Sequence, residues 1–234
     1  MMRKTILAAV LRIVFLAAPF AIVLPFVLWP LTPAFPGRLW FSLLFSAMVA
    51  EKVVATFVHV PGNSCTKARD DLTTATVGVT YAAVFYTAII TFFLRQGSIP
   101  APWWSAAGAA VYAAAVLLRY WTFKRLGKQW AFHLDQKLEA ERALLQDGPY
   151  AYARHPLYTS AMLECLGVAL IFQSAAALAV AFFLYLPAQI HRACYEEKFL
   201  RRTFGEAYDE YASRVQAFFP IPFIAKKNHK AAEA

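Results

Sequence analysis

Cysteine and charge are both scarce in this sequence, and each scarcity excludes a class of protein. The three cysteines, Cys65, Cys165 and Cys194, are scattered along the chain without a Cys-x-x-Cys pair. An odd and dispersed set of this kind predicts neither a disulfide framework nor a metal site. Charged residues make up only 16% of the 234 positions, whereas hydrophobic residues make up 60%. This composition excludes an ordinary soluble domain.

Long apolar runs take the place of the missing charge. Residues 13–31, 72–94 and 99–118 hold no charged side chain, and each run is long enough to cross a bilayer. Residues 39–60 form a fourth run, interrupted by Glu51-Lys52, which we interpret as a pair near the inner interface that extends toward water. Two 17-residue runs, 156–172 and 174–190, are predicted to form a C-terminal hairpin. The sequence therefore predicts an all-α integral membrane protein with about six transmembrane helices.

The basic residues indicate how these helices are oriented. With the N-terminus inside, Arg38 and Arg95 are the basic residues of the outer side, and the other 21 of the 23 Lys and Arg lie inside. This asymmetry follows the positive-inside rule. Both termini are then predicted to be cytoplasmic, in the inner membrane of a bacterium or an ER-type membrane of a eukaryote. The net charge of +9 is interpreted as topology and attraction to anionic lipid, not as nucleic-acid binding.

The polarity of the chain changes after the fourth run, which suggests three regions. Residues 1–123 are predicted to form a membrane bundle of four helices, residues 124–223 a catalytic region, and residues 224–234 a polar tail. After Arg192, aromatic and aliphatic residues recur at roughly helical spacing and predict an amphipathic C-terminal helix. Its apolar stripe comprises Tyr195, Phe199, Phe204, Tyr208, Tyr211 and Val215.

Two polar clusters at the inner ends of the hairpin form the candidate site. One runs from Gly148 to Tyr158 and the other from His191 to Glu197, and a turn at Gln173-Ser174 brings them to one side. Pro156 suits the first turn of a helix, whose unbonded N–H groups favour a carboxylate. Glu196 and Glu197 offer acceptors for an ammonium or for hydroxyls, and Arg192 offers a planar fork for a carboxylate or phosphate. A salt-bridge network that closes the inner mouth explains the same residues, so chemistry alone leaves both interpretations open.

Four motifs carry a resemblance to a known family. They are Gly148-Pro149-Tyr150, Arg154-His155-Pro156-Leu157-Tyr158, Arg192-x-x-x-Glu196-Glu197-x-x-Leu200, and Phe204-Gly205-x-x-Tyr208-x-x-Tyr211. In order and spacing, residues 127–220 resemble the isoprenylcysteine carboxyl methyltransferase family and, more loosely, the related phospholipid methyltransferases. The first four predicted helices carry no motif of that family.

The resemblance implies a transferase that uses S-adenosylmethionine, releases S-adenosylhomocysteine, and has neither a Rossmann fold nor a metal. It implies that Arg192 holds the methyl acceptor, the carboxylate of an isoprenylcysteine-like or other lipophilic molecule. Ser160 stands where the family usually has Gly, and Ala217 replaces a common Arg. The implied cofactor contacts are Gln136, Arg142, Ala143, Leu144, Leu145, Tyr150, His155, Pro156, Leu157, Tyr158 and Glu196, partly from a cytoplasmic segment before the hairpin.

Three alternatives are carried beside this interpretation. A phospholipid or small-amine N-methyltransferase, or a thiol S-methyltransferase, would bind S-adenosylmethionine through the same residues. NADPH-dependent sterol reductases share an Arg-His-Pro-x-Tyr element, but Leu157 and Leu200 stand where they typically carry Asn and Cys. A non-enzymatic scaffold would not explain why the two polar clusters lie together. Glu164, inside the fifth predicted helix, is expected to contact an acceptor amine or Arg192, or to hold a helix contact within the bundle.

Overall fold

A computed structural model describes residues 22–31, 34–58, 72–127 and 144–218. In these ranges all regular structure is helical, and the prediction of an all-α protein is confirmed for them. Two short 3-10 helices occur at Trp29–Leu31 and Gly148–Ala151. The other elements are α1 (Leu24–Val27), α2 (Arg38–Val58), α3 (Leu72–Leu94), α4 (Pro102–Leu126), α5 (Pro156–Ile171), α6 (Ala175–Phe204) and α7 (Glu206–Arg214).

Three helices in the described part of the chain are long and apolar enough to cross a membrane. They are Thr76–Leu94 within α3, all of α4, and α6, while α5 is apolar but shorter. α2 is not one of the three, and it carries Arg38, Glu51 and Lys52 among its 21 residues. Residues 13–21 of the first predicted run lie outside the described residues. The count of six transmembrane helices therefore stays a prediction.

The second arm of the hairpin is much longer than the sequence indicated. We predicted that the apolar arm ends at residue 190 and that a separate amphipathic helix follows, but α6 continues to Phe204. No Gly or Pro interrupts residues 188–204, so the change in polarity does not break the helix. At about 1.5 Å per residue, its 30 residues span about 45 Å, more than the ~30 Å of a hydrocarbon core. If α6 crosses a membrane, about a third of its length is therefore more than the apolar layer needs.

Gly205 ends α6 and divides the predicted amphipathic helix in two. Its φ of +55° is a left-handed conformation that suits glycine, and α7 begins at the next residue. Because the chain turns here, the apolar stripe does not stay on one face. Tyr208 and Tyr211 are buried, whereas 48% of Tyr195 is exposed.

The predicted hairpin turn is confirmed, and its side chains explain how it closes. Gln173 adopts a φ of +47°, and the Ser174 hydroxyl accepts a 3.1 Å hydrogen bond from the Ala177 N–H at the start of α6. The Gln173 amide donates to the Ala101 carbonyl at 2.7 Å, so the turn is also tied to the start of α4.

Small residues let α4 and α5 approach closely. A methyl group placed on Gly108 would lie 2.6 Å from the Ile171 nitrogen, and one on Gly167 would lie 2.9 Å from the Tyr112 nitrogen. Near this end of the bundle, Phe45, Phe92 and Phe172 are fully buried against one another. This packing fixes α5, and with it the polar cluster that precedes the helix.

Candidate active site

The hairpin brings the two polar clusters into direct contact. Tyr158, in the first turn of α5, donates a 2.7 Å hydrogen bond to Glu196 Oε2 on α6. His155 Nδ1 lies 3.7 Å from the same oxygen, and the rings of His155 and Tyr158 stack with 7° between their planes. Glu196 keeps 27% of its side chain exposed. Tyr158 thus positions the Glu196 carboxylate at the mouth of the hairpin, which is its open end opposite the turn.

Arg192 lies one turn before Glu196 and is nearly buried, with 6% exposed. Its Nε donates to the Tyr158 hydroxyl at 3.4 Å, and its Nη1 donates to Thr73 Oγ1 at 3.0 Å. Thr73 belongs to the first turn of α3, so the guanidinium lies where α3, α5 and α6 meet. Glu196, Tyr158, Arg192 and Thr73 therefore form one continuous chain of hydrogen bonds. Sequence analysis did not identify Thr73, because a Thr near the start of an apolar run, followed by Thr74 and Thr76, matches no motif.

Arg154 and Glu197 form a second network beside the first. The Arg154 guanidinium donates to Glu197 Oε1 at 2.7 and 3.0 Å, and its Nη1 donates to the Ala212 and Val215 carbonyls. His155 Nε2 lies 3.2 Å from Glu197 Oε1. The three side chains therefore contact one another, and Arg154 also binds the last turn of α7 and the residue that follows it. A salt bridge of the kind in the alternative interpretation therefore exists here, between Arg154 and Glu197.

The backbone after α7 completes this arrangement. The N–H groups of Arg154 and His155 donate 2.8 Å hydrogen bonds to the carbonyls of Gln216 and Ala217. Ala217, where the resembled family commonly has Arg, thus contributes its backbone. Ser160, the other departure, is fully buried and donates to the Leu157 carbonyl at 2.8 Å. Neither departure leaves a polar group of its own side chain facing the mouth.

Hydrogen bonds from α4 and from α7 hold the Gly148-Pro149-Tyr150 turn in place. Gly148 has a φ of +58°, and Asp147 beside it accepts two hydrogen bonds from Arg125 of α4 at 2.6 and 2.7 Å. The Tyr211 hydroxyl donates to the Tyr150 carbonyl at 2.7 Å. The Arg125 hydrogen bond lowers the pKa of Asp147, whereas burial raises the pKa of Tyr150 and raises that of Tyr211 to about 12. The turn therefore presents neutral phenols and an ionised aspartate at neutral pH.

The structure covers most, but not all, of the predicted cofactor contacts. Pro156 begins α5 and is buried, while Leu144, Leu145 and Leu157 are half-buried. Gln136, Arg142 and Ala143 lie outside the described residues, so their predicted contacts stay predictions.

A separate group of four charges, two buried and two half-buried, lies among the helices, and we call it the charge ring. It consists of Glu51 and Lys52 of α2, Arg119 of α4 and Glu164 of α5. Lys52 Nζ lies 2.9 Å from Glu51 Oε2 and 2.7 Å from Glu164 Oε1, and Arg119 contacts the same two carboxylates. Each acid thus touches both bases, and the four formal charges sum to zero.

The charge ring changes our interpretation of two sequence features. Glu51 and Lys52 do not extend toward water at an interface, because their charged ends meet partners on other helices. Glu164 is 1% exposed and also accepts a 2.8 Å hydrogen bond from Tyr81 of α3, so it holds a helix contact and does not reach Arg192. The sequence did not identify Arg119, since a single Arg near the end of an apolar run resembles an interfacial charge.

The arrangement suits two ligand groups of opposite charge, one cationic and one anionic. Both described contacts of the Glu196 carboxylate reach Oε2, and the side chain is 27% exposed, so this carboxylate suits a cationic group. Arg192 offers a guanidinium whose described partners are neutral hydroxyls. Within the described residues, no cluster of three or more His, Cys, Asp or Glu is placed to hold a metal ion.

Comparison with known proteins matches the part of the chain that holds this site. Residues 103–207 match the phospholipid methyltransferase family. Protein-S-isoprenylcysteine O-methyltransferase B of Arabidopsis thaliana is 30% identical over 145 residues, which cover 59% of this chain and 68% of that protein. The nickel-cobalt-cadmium resistance protein NccN of Alcaligenes xylosoxydans xylosoxydans is 38% identical over 103 residues, or 42% of this chain and 46% of that protein. The cobalt-zinc-cadmium resistance protein CzcN of Cupriavidus metallidurans is also 38% identical, over 41% of this chain and 43% of its own. The chain thus spans about half the length of these two resistance proteins.

Proposed function

We propose, from the premise that this chain belongs to the isoprenylcysteine carboxyl methyltransferase family, that it is a membrane methyltransferase. Its proposed reaction transfers a methyl group from S-adenosylmethionine to the carboxylate of a lipophilic, isoprenylcysteine-like acceptor. The observation that carries the proposal is the chain of contacts from Glu196 through Tyr158 to Arg192. Through these contacts an acidic and a basic side chain lie near each other at the end of the hairpin opposite its turn, which supports a site for both charges of ligand group.

The residues around Glu196 fit the methionine part of S-adenosylmethionine. A carboxylate that is one quarter exposed and oriented by Tyr158 suits the ammonium group. The first turn of α5, which follows the buried His155, suits the cofactor's carboxylate through its N–H groups. We propose that Tyr150, His155, Tyr158 and Glu196 hold the cofactor, together with residues 142–145 and Gln136. When bound, S-adenosylmethionine supplies a methyl group already activated by its sulfonium.

Arg192 is proposed to hold and orient the acceptor. A carboxylate forms charge-assisted hydrogen bonds that are stronger than those from hydroxyls, so it can replace Thr73 or Tyr158 on the guanidinium. Positioning the carboxylate and removing water from it are the main contributions that the protein makes. An ionised carboxylate loses no proton when it is methylated, and the site then needs no general base.

The positions of the acidic residues favour a carboxylate over an amine acceptor. An amine must lose a proton, and the sequence offered Glu164 and Glu197 as bases. Glu164 is enclosed by Lys52, Arg119 and Tyr81, and Glu197 is bonded to Arg154 and His155. Neither carboxylate is presented to a ligand at Arg192. N-methylation is therefore the weaker proposal for this site.

The test measures cofactor binding and methyl transfer on the same purified protein. We expect S-adenosylhomocysteine to raise the melting temperature and labelled S-adenosylmethionine to methylate a prenylcysteine carboxylate. Glu196→Gln removes a charged partner of the cofactor and should weaken its binding on the order of 10- to 100-fold. Glu206→Gln, at an exposed position of α7, is the matched control and should bind normally. Stabilisation by NADPH in place of S-adenosylhomocysteine would assign the chain to the reductase alternative.

A further inference from the structure

Gln189 is a buried polar side chain that the proposed function does not use. It is 1% exposed, and within the described residues no donor reaches its side-chain oxygen, Oε1. A buried carbonyl oxygen without a donor is uncommon, because it gives up its hydrogen bonds to water and receives nothing in exchange. An apolar residue of similar size would avoid this cost. The presence of an amide here calls for a partner.

The position of Gln189 indicates where that partner lies. Tyr185, Gln189, Arg192 and Glu196 follow one another on α6 at intervals of four, three and four residues, so they share one face of the helix. Below Gln189, the Tyr185 ring packs against Tyr81 of α3, with 5.6 Å between ring centroids.

Above Gln189, Arg192 donates to Thr73, two turns from Tyr81 on the same helix α3. The face of α6 that carries Gln189 is therefore the face that meets α3. Gln189 lies between these two contacts, one turn deeper in the bundle than the guanidinium.

We propose that Gln189 determines acceptor specificity by accepting a hydrogen bond from an N–H group beside the acceptor's carboxylate. This inference rests on the proposed function, in which Arg192 holds that carboxylate. Side chains three residues apart on a helix have Cβ atoms about 5–6 Å apart, so both can reach one small head group. Arg192 donates to the oxygens while Gln189 accepts from the nitrogen.

The pair of groups selects a definite class of substrate. An amino acid whose amine is acylated, such as a C-terminal residue of a peptide, carries its carboxylate and its N–H on the same carbon. An S-prenylated cysteine of this kind also supplies an apolar tail. A fatty acid or a simple thioether acid has the carboxylate without the N–H, and it would leave Oε1 of Gln189 without a donor.

Two acceptors that differ in this N–H alone provide the test. N-acetyl-S-farnesylcysteine has it, and 3-(farnesylthio)propionate keeps the carboxylate and the tail but lacks the acetamido group. We expect the unaltered protein to favour the first acceptor by about 10-fold or more in kcat/KM, since a site built for a hydrogen bond disfavours an analogue that lacks it. In Gln189→Leu this ratio should fall close to one.

The ratio does not depend on how much of a variant is folded, which makes it a specific readout. Gln189→Met serves as a second apolar variant should the leucine variant fold poorly, and it should lose the same preference. Ile190→Leu, on the exposed side of α6, should keep the ratio of the unaltered protein. An unchanged ratio in the folded Gln189 variants, as expected if a water molecule occupies the site, overturns the inference. Failure of the unaltered protein to methylate either acceptor would instead overturn the proposed function itself.

Discussion

The arginines of the site show how one residue type serves two purposes. Arg154 is bonded to a carboxylate and to two backbone carbonyls, which are strong and permanent partners. The described hydrogen-bond partners of Arg192 are the hydroxyls of Tyr158 and Thr73, which are neutral. A charged ligand competes well with hydroxyls and poorly with a carboxylate. On this difference in described partners we base the proposal that Arg192 binds the acceptor and that Arg154 stabilises the fold around the site.

Replacement of Arg192 by lysine tests this distinction. Lysine keeps the charge but loses the planar fork that grips a carboxylate at two points. We expect S-adenosylhomocysteine affinity to be nearly unchanged and kcat/KM for methyl transfer to fall by roughly 100-fold or more. Both quantities are measured on the same preparation. Full activity in Arg192→Lys would remove this residue from the acceptor site.

Sequence reasoning identified the charged residues of the mouth but not all of their partners. Arg154, His155, Arg192, Glu196 and Glu197 stood out because charge is rare in an apolar chain. The carbonyls that bind Arg154 could not be predicted, because any backbone presents the same group. Thr73 and Gln189 were missed for a related reason, since a neutral polar residue in a membrane helix is common and its partner depends on packing.

At the scale of helices, the charge ring joins two parts of the chain that are each neutral. Glu51 and Lys52 come from α2, outside the region that matches the phospholipid methyltransferase family, and Arg119 and Glu164 come from inside it. Glu51 and Lys52 together carry no net charge, and the same holds for Arg119 and Glu164. The ring therefore docks α2 onto α4 and α5 without leaving a net charge in the bundle. The partners that it joins across different helices are 45 to 112 residues apart in the sequence, a distance at which no local pattern predicts pairing.

Removal of one charge from the ring should lower the free energy of unfolding more than removal of two opposite charges. Glu164→Gln leaves Lys52 and Arg119 with a single carboxylate, and we expect a loss of about 3–5 kcal/mol in unfolding free energy. Lys52→Met in the same chain restores neutrality and should recover much of the loss. Thermal or denaturant unfolding in detergent of the two single variants and the double variant gives the coupling. Additive losses in the double variant would show that the four charges act independently.

Two glycines test the close approach of α4 and α5. Gly→Ala within a helix normally stabilises by up to about 1 kcal/mol. At Gly108 the new methyl group would lie 2.6 Å from the Ile171 backbone, so we expect Gly108→Ala to lower the melting temperature. Gly78 of α3 has no atom within 4 Å of that position, and Gly78→Ala should be neutral or stabilising. Equal effects of the two substitutions would contradict the close helix packing.

For the whole molecule, the hairpin sets the side on which the chemistry takes place. α5 and α6 are joined by a tight turn, so the clusters before α5 and near the end of α6 share one side. The sequence predicted this from run lengths and turn residues alone. It misplaced the end of the second arm because hydropathy reports where a helix leaves the apolar layer, not where its backbone stops.

Fused reporters test the predicted orientation. We expect a reporter after Ala234 to lie on the same, cytoplasmic side as one at Met1, and a reporter inserted beside Gln96 to lie on the opposite side. These outcomes follow from the asymmetry of basic residues and from an even number of spans. Protease protection or compartment-specific fluorescence checks each position. Termini on opposite sides would require an odd number of spans and a revised account of residues 1–71.

The segment of residues 212–217, which begins in the last turn of α7, has a consequence for how the protein is made. Arg154 and His155 are held by the carbonyls of residues 212–217, which leave the ribosome after every described membrane helix has been synthesised. A nascent chain can therefore insert its helices while the mouth of the site is still incomplete. Methyl transfer then begins only once translation has passed this segment. A nonsense mutation just after Phe204 would yield a protein that reaches the membrane and remains inactive there.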